Sequence, residues 1–121
     1  MKDEVPHDMG ERTTEFALRM VKMFTALPKT EEARTLGKQV LRSGTSIGAN
    51  YREARRARST AEFISKIGDC LKEADETDYW LELLVRGGIV PEAKLSALRD
   101  ETNQLIAILT TISKNAKRRN D

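Results

Sequence analysis

Between Ser43 and Ala54 the chain reads Ser43-Gly-Thr-Ser-Ile-Gly-Ala-Asn-Tyr-Arg-Glu-Ala54, a run poor in helix formers that still keeps a helical period. Gly44 and Gly48 each cost about 1 kcal/mol relative to alanine inside a helix. Yet Leu36, Val40, Gly44, Ile47, Tyr51 and Ala54 recur at steps of three and four, which puts them on one helical face. A helix that accepts two such glycines needs a neighbour to come close, the packing logic of small residues four apart. The run predicts helix packing through Ser43, Gly44, Gly48 and Asn50, the polar members bonding to a neighbouring helix or to backbone carbonyls. A protein built for packing or assembly follows.

The remaining chain divides into helices at clear punctuation. Residues 1–9 read as a flexible tail, and Asp8 with Glu11 forms a cap for a first helix reaching Leu27. Its apolar face carries Phe16, Met20, Met23, Phe24 and Leu27, and Pro28 ends it. Thr30, followed by Glu31 and Glu32, starts a second helix that runs to about Ala57. Ser59-Thr-Ala-Glu62 is a capping box for a third helix, which carries Phe63, Ile67, Cys70, Leu71, Ala74, Leu81 and Val85 inward and stops at Gly87-Gly88. Pro91 opens the fourth, whose inner face is Leu95, Leu98, Thr102, Leu105, Leu109 and Ile112. Short connections between long helices make them antiparallel neighbours. The predicted fold is all-α: one up-down-up-down four-helix bundle over residues 10–116, with a basic tail over 117–121.

Charge is unevenly placed. The net charge is only +2, so any affinity for nucleic acid must come from clustering. On a helical wheel Lys38, Arg42, Thr45, Ala49, Arg52 and Arg56 fall together opposite the apolar face, broadened by Arg55 and Arg58. Glu62, Asp69, Glu73 and Glu76 cluster on a flank of the third helix, and Trp80 falls on that flank, directed away from the interior. Solvated faces pairing locally would gain only tenths of a kcal/mol, roughly, and have no use for a tryptophan. Assembly gives the tryptophan a purpose: Arg52 and Arg56 of one subunit meet Glu73 and Glu76 of another, with Trp80 as the buried anchor. The competing use of the basic stripe is to track phosphates of RNA or DNA through Lys38, Arg42, Arg52, Arg55 and Arg56.

No catalytic constellation emerges. Di-iron bundles need Glu-x-x-His on two helices, and the single histidine, His7, lies in the tail. Cys70 sits on an apolar face and reads as a buried structural thiol. Gly44-x-x-x-Gly48 lacks the Gly-Lys-Ser/Thr and preceding strand of a phosphate loop. The expectation is a non-enzymatic protein with no cofactor, no metal and no small-molecule substrate. No apolar run approaches membrane-spanning length, the start of the chain lacks a signal-peptide core, and one cysteine fits a reducing compartment. A cytoplasmic protein with no membrane association is expected.

Two long blocks carry a family resemblance: Arg42-Ser-Gly-Thr-Ser-Ile-Gly-Ala-Asn-Tyr-Arg-Glu-Ala54, followed by Ser59 and Phe63, and Lys72-Glu-Ala-Asp-Glu-Thr-Asp-Tyr-Trp-Leu-Glu-Leu-Leu84. With Leu36-Gly-Lys-Gln-Val-Leu41 and Leu27-Pro28, they resemble the four-helix-bundle proteins encoded in intervening sequences of bacterial 23S ribosomal RNA genes. That resemblance implies an up-down bundle assembling into a ring, typically a homopentamer, with no established enzymatic activity and an uncharacterised cellular role. The related accessory variability proteins of diversity-generating retroelements form a basic pentameric barrel that binds nucleic acid. Ser43, Ser46, Asn50, Arg52, Glu53, Glu73, Glu76, Thr77 and Trp80 match the family signature. The combined expectation is a self-associating interaction scaffold whose partner is itself. The alternative is an RNA-binding adaptor using the basic face of the second helix.

Overall fold

A computed structural model describes residues 9–120 and consists of four helices: α1 (Met9–Thr25), α2 (Glu31–Arg55), α3 (Thr60–Arg86) and α4 (Glu92–Asn120). Each boundary has a local cause. Thr30 Oγ1 accepts from the Ala33 amide at 3.3 Å and Ser59 Oγ from the Glu62 amide at 3.0 Å, so both side chains cap helix starts. Helix α3 gives way to a turn through Gly87 and Gly88, and Gly88, at φ +72°, occupies the left-handed region that favours glycine. Pro91 immediately precedes α4, and its carbonyl accepts from the Lys94 amide at 3.0 Å.

Each helix is antiparallel to the next, and the chain is an all-α up-down four-helix bundle. The α2–α3 seam is the most extensive and the α1–α4 seam the least. Phe16, Met20, Val40, Ile47, Tyr51, Phe63, Ile67, Leu81, Leu84, Leu105 and Leu109 form the central core. Arg12 ties α1 to α4, its guanidinium forking onto both carboxylate oxygens of Glu101 at 2.7 and 2.8 Å and reaching Gln104 Oε1 at 2.7 Å.

Some boundaries differ from the sequence-based expectation. Met9, assigned to the tail, is the first residue of α1 and wholly buried, because its side chain completes the apolar face one turn below Thr13. Basic residues Lys117, Arg118 and Arg119, assigned to a second tail, continue α4. Cations suit a helix C-terminus, where they complement the macrodipole. The expected cap at Asp8, His7, the rest of the N-terminal tail and Asp121 lie outside the described residues.

Candidate functional site

The glycines of α2 face α1 within the same chain. A Cβ on Gly44 would sit 2.5 Å from Met20 Cγ and 2.7 Å from its Sδ, and Met20 is fully buried. Four residues on, a Cβ on Gly48 would lie 3.3 Å from the Thr13 carbonyl oxygen. Gly37, one heptad before Gly44, receives Leu27 and Phe24 in the same way. The small-residue stripe is therefore the groove into which α1 lays its side chains.

The opposite flank of α2 builds the seam with α3. Ser43 and Thr77 are both fully buried, with Thr77 donating to Ser43 Oγ at 2.9 Å. Ser46 Oγ and Thr45 Oγ1 turn back onto the Arg42 and Leu41 carbonyls at 2.6 and 2.7 Å, and Asn50 is half-buried. Cys70 Sγ points at the Ile47 carbonyl, 3.6 Å away, and burial pushes the thiol up to about 12.

At the outer edge of this seam Arg42 reaches Glu73 at 3.3 Å and Glu76 at 2.8 Å, and the hydrogen bond to Glu76 foremost holds its pKa above the ordinary value. Arg42, grouped by the wheel with candidate phosphate contacts, is thus held by the two carboxylates of its own chain that were paired with a neighbour's arginines. Lys66 likewise bridges to Glu53 across 2.8 Å, which raises its pKa.

Trp80 does not point away from the bundle. It is half-buried against the core, and its Nε1 is shielded without a hydrogen-bond acceptor. On the wheel it lies beside Glu73 and Thr77, which bond to Arg42 and Ser43 of α2, and an indole is large enough to reach the core from such a flank. Its ring meets that of exposed Tyr79 at 5.2 Å between centroids, inclined by 59°.

Lys38, Arg52, Arg55 and Arg56 remain on the outside of α2, and among the described residues none of them forms an ion pair. Three of these cations, Arg52, Arg55 and Arg56, line a polar hollow of about 490 Å³ where the start of α1 crosses α2 at Gly10, Thr14 and Gly48. The helix crossing thus gathers arginines that the linear stripe only aligned.

Two outer features escaped the sequence reading. Leu18 and Val21, three residues apart on α1, are 58% and 45% exposed. On α3, Gly68 and 53%-exposed Tyr79 lie on one outer stripe, and a Cβ on Gly68 would meet nothing within 4 Å. An apolar pair at i, i+3 outside the main apolar face was the available signal for the first. Gly68 gave a signal too, since an exposed helix interior ordinarily favours alanine.

Among the described residues, no group of three or more His, Cys, Asp or Glu is arranged to hold a metal ion. No described helix is long and apolar enough to cross a membrane.

The sequence matches the family model of the 23S rRNA-intervening sequence protein over residues 7–111. No curated protein matches it. It is similar to a protein of unknown function from the S23 ribosomal protein family of Bacteroides thetaiotaomicron VPI-5482, whose crystal structure is known at 1.70 Å. The two share 41% identity and superpose with a TM-score of 0.82, over 87% of this chain and 97% of the other. The match over residues 7–111 and the 41% identity across most of the chain make it a member of the 23S rRNA-intervening sequence protein family.

Proposed function

We propose that the protein is a non-enzymatic four-helix bundle that self-associates, five copies closing a ring that serves as an interaction scaffold. The observation that carries this reading is the outer stripe of α3. Gly68 and Tyr79 stand about three turns apart on it, and among the described residues nothing occupies the space beside Gly68. A solvated helix would be about 1 kcal/mol better with alanine there. A second copy packed against the stripe supplies the reason for glycine. Exposed Leu18 and Val21 offer apolar area, while Arg52 and Arg56 offer charge to the acidic flank of α3 that includes Glu73 and Glu76. Arg42 already serves those two carboxylates in part, and the Trp80 ring meets that of Tyr79 at the edge. Contact between two different faces is heterologous, and rings follow when the rotation closes. Five copies is the number implied by the family resemblance.

Gel filtration with light scattering at micromolar concentration tests this. The expected particle is about 68 kDa, five times the 13.7 kDa chain. Gly68→Arg and Tyr79→Glu should each release monomers with unchanged helical circular dichroism. A wild-type particle of one chain's mass ends the reading.

A second reading, nucleic-acid binding, is favoured by the hollow where Arg52, Arg55 and Arg56 converge, with Lys38 farther along α2. Fluorescence anisotropy with RNA and DNA oligonucleotides over a salt series decides it. Three phosphate contacts would give a log–log slope of about −2 on single strands and about −3 on duplex. Absence of binding at low salt removes this reading.

A further inference from the structure

Where the C-terminal half of α1 faces the N-terminal half of α4, the weakest seam of the bundle opens into a groove of about 600 Å³. The α1–α2 and α3–α4 connections close its end at Pro28 and Pro91. Its floor is apolar: Leu27, Leu95 and Leu98 belong to the core, and Met23 and Ile89 pack against it. Its rim is entirely basic. Arg19 and Lys22 project from α1 and Lys94 from α4, and among the described residues no acidic side chain lines the groove. Among the described residues none of these three cations forms an ion pair, though Arg19 lies near enough to Glu101 to help lower its pKa.

Three like charges around one apolar trough repel one another, and an anion lying among them relieves that repulsion. The floor asks for more than an anion, because a hydrated phosphate gains nothing from leucine and methionine side chains. The volume falls inside the roughly 300–1,000 Å³ range of small-molecule sites, and a mainly apolar lining with a few convergent charges is the usual make-up of such a site. We propose that the groove binds a free single-chain amphiphilic anion, an alkyl carboxylate whose tail lies along Met23, Leu95 and Leu98 while Arg19, Lys22 and Lys94 hold its headgroup. The closed end at the two prolines sets the depth for the tail, and the charged rim keeps the carboxylate at the mouth. A flat bilayer would meet the rim without reaching this floor. The groove lies apart from the Gly68–Tyr79 stripe of α3, while its Arg19 and Lys22 adjoin Leu18 and Val21 on α1.

Dodecanoate, kept below its micelle concentration, is the probe for calorimetric titration of the full chain, with dodecanol as the uncharged control. One dodecanoate per chain is expected, with amide shifts centred on residues 89–98 in heteronuclear spectra. Lys22→Glu combined with Lys94→Glu should weaken binding by about tenfold or more, the equivalent of roughly 1.4 kcal/mol. Ala97→Trp, which fills the groove from an exposed position, should abolish binding with helical circular dichroism intact. Dodecanol binding as tightly as dodecanoate would overturn the proposal, as would unchanged affinity in the charge-reversed protein. So would binding that survives Ala97→Trp, or binding seen only with phosphatidylglycerol vesicles, which would make this face a membrane surface.

Discussion

Thr77 on α3 donates to Ser43 Oγ on α2 across 2.9 Å, inside a seam where both side chains are fully buried. The Glu73 carbonyl, 2.8 Å from the same hydroxyl, competes for that single proton, while Ser43 has only a long bond of 3.4 Å to the Val40 carbonyl. The cross-helix bond is therefore the one good partner available to Ser43. Ser43→Ala and Thr77→Val should each cost about 1 kcal/mol in urea unfolding. The double variant should cost no more than either single one, because no buried hydroxyl is then left without its partner. Additive losses would show that the two hydroxyls do not interact.

Gly44 and Gly68 should respond to alanine in opposite directions. At Gly44 a methyl would press on the Met20 stem, which is enclosed on all sides. Overpacking of this kind costs about 1–3 kcal/mol and exceeds the helix-propensity gain of about 1 kcal/mol. Gly44→Ala should lower the thermal midpoint. Gly68→Ala meets open space and should stabilise the isolated chain by about 0.5–1 kcal/mol. The comparison needs protein dilute enough to be monomeric.

The Arg12–Glu101 fork predicts a defined acid sensitivity. Its hydrogen bonds to Arg12 hold the Glu101 carboxyl below its ordinary value of 4.5. A carboxyl depressed in the folded state adds stability that is fully present above the unfolded value, and that is lost as pH falls through the lower folded value. Arg12→Ala should therefore cost about 1 kcal/mol near neutral pH. The difference from wild type should narrow below about pH 4.5 as Glu101 protonates. Paired denaturant curves at pH 7 and pH 3 measure the change.

Cys70 should be inert in the folded protein. Its thiol is buried and pushed up to about 12, so the reactive thiolate is scarce at pH 8 and reagents have no path to it. Labelling by a disulfide reagent at pH 8 should proceed only as fast as the protein opens, and should accelerate with urea in step with unfolding. Rapid stoichiometric labelling in buffer would contradict the buried position.

The helices and their order were legible because their signals are local. Thr30 and Ser59 cap within their own first turn, Pro28 and Pro91 act on adjacent residues, and the three- and four-residue recurrence from Leu36 to Ala54 survives two glycines. The apolar faces of α1 and α2 were read by the same period. Trp80 was misread because a wheel describes one helix alone. A residue on the flank is exposed or covered according to where the neighbouring helix lies and how far the side chain reaches.

The linear order of residues by itself determined an all-helical chain and its punctuation, since each depends on contacts within about one turn, and it marked the small residues of α2 by the helix propensity they give up. Only the packed structure decided that Met20 and Thr13 occupy the glycine stripe, that Arg42 is held by Glu73 and Glu76, and that the α1–α4 seam opens into a basic-rimmed groove. Those features depend on crossing angles and helix separations. Such quantities are fixed by the summed packing of four surfaces, which no single helix encodes.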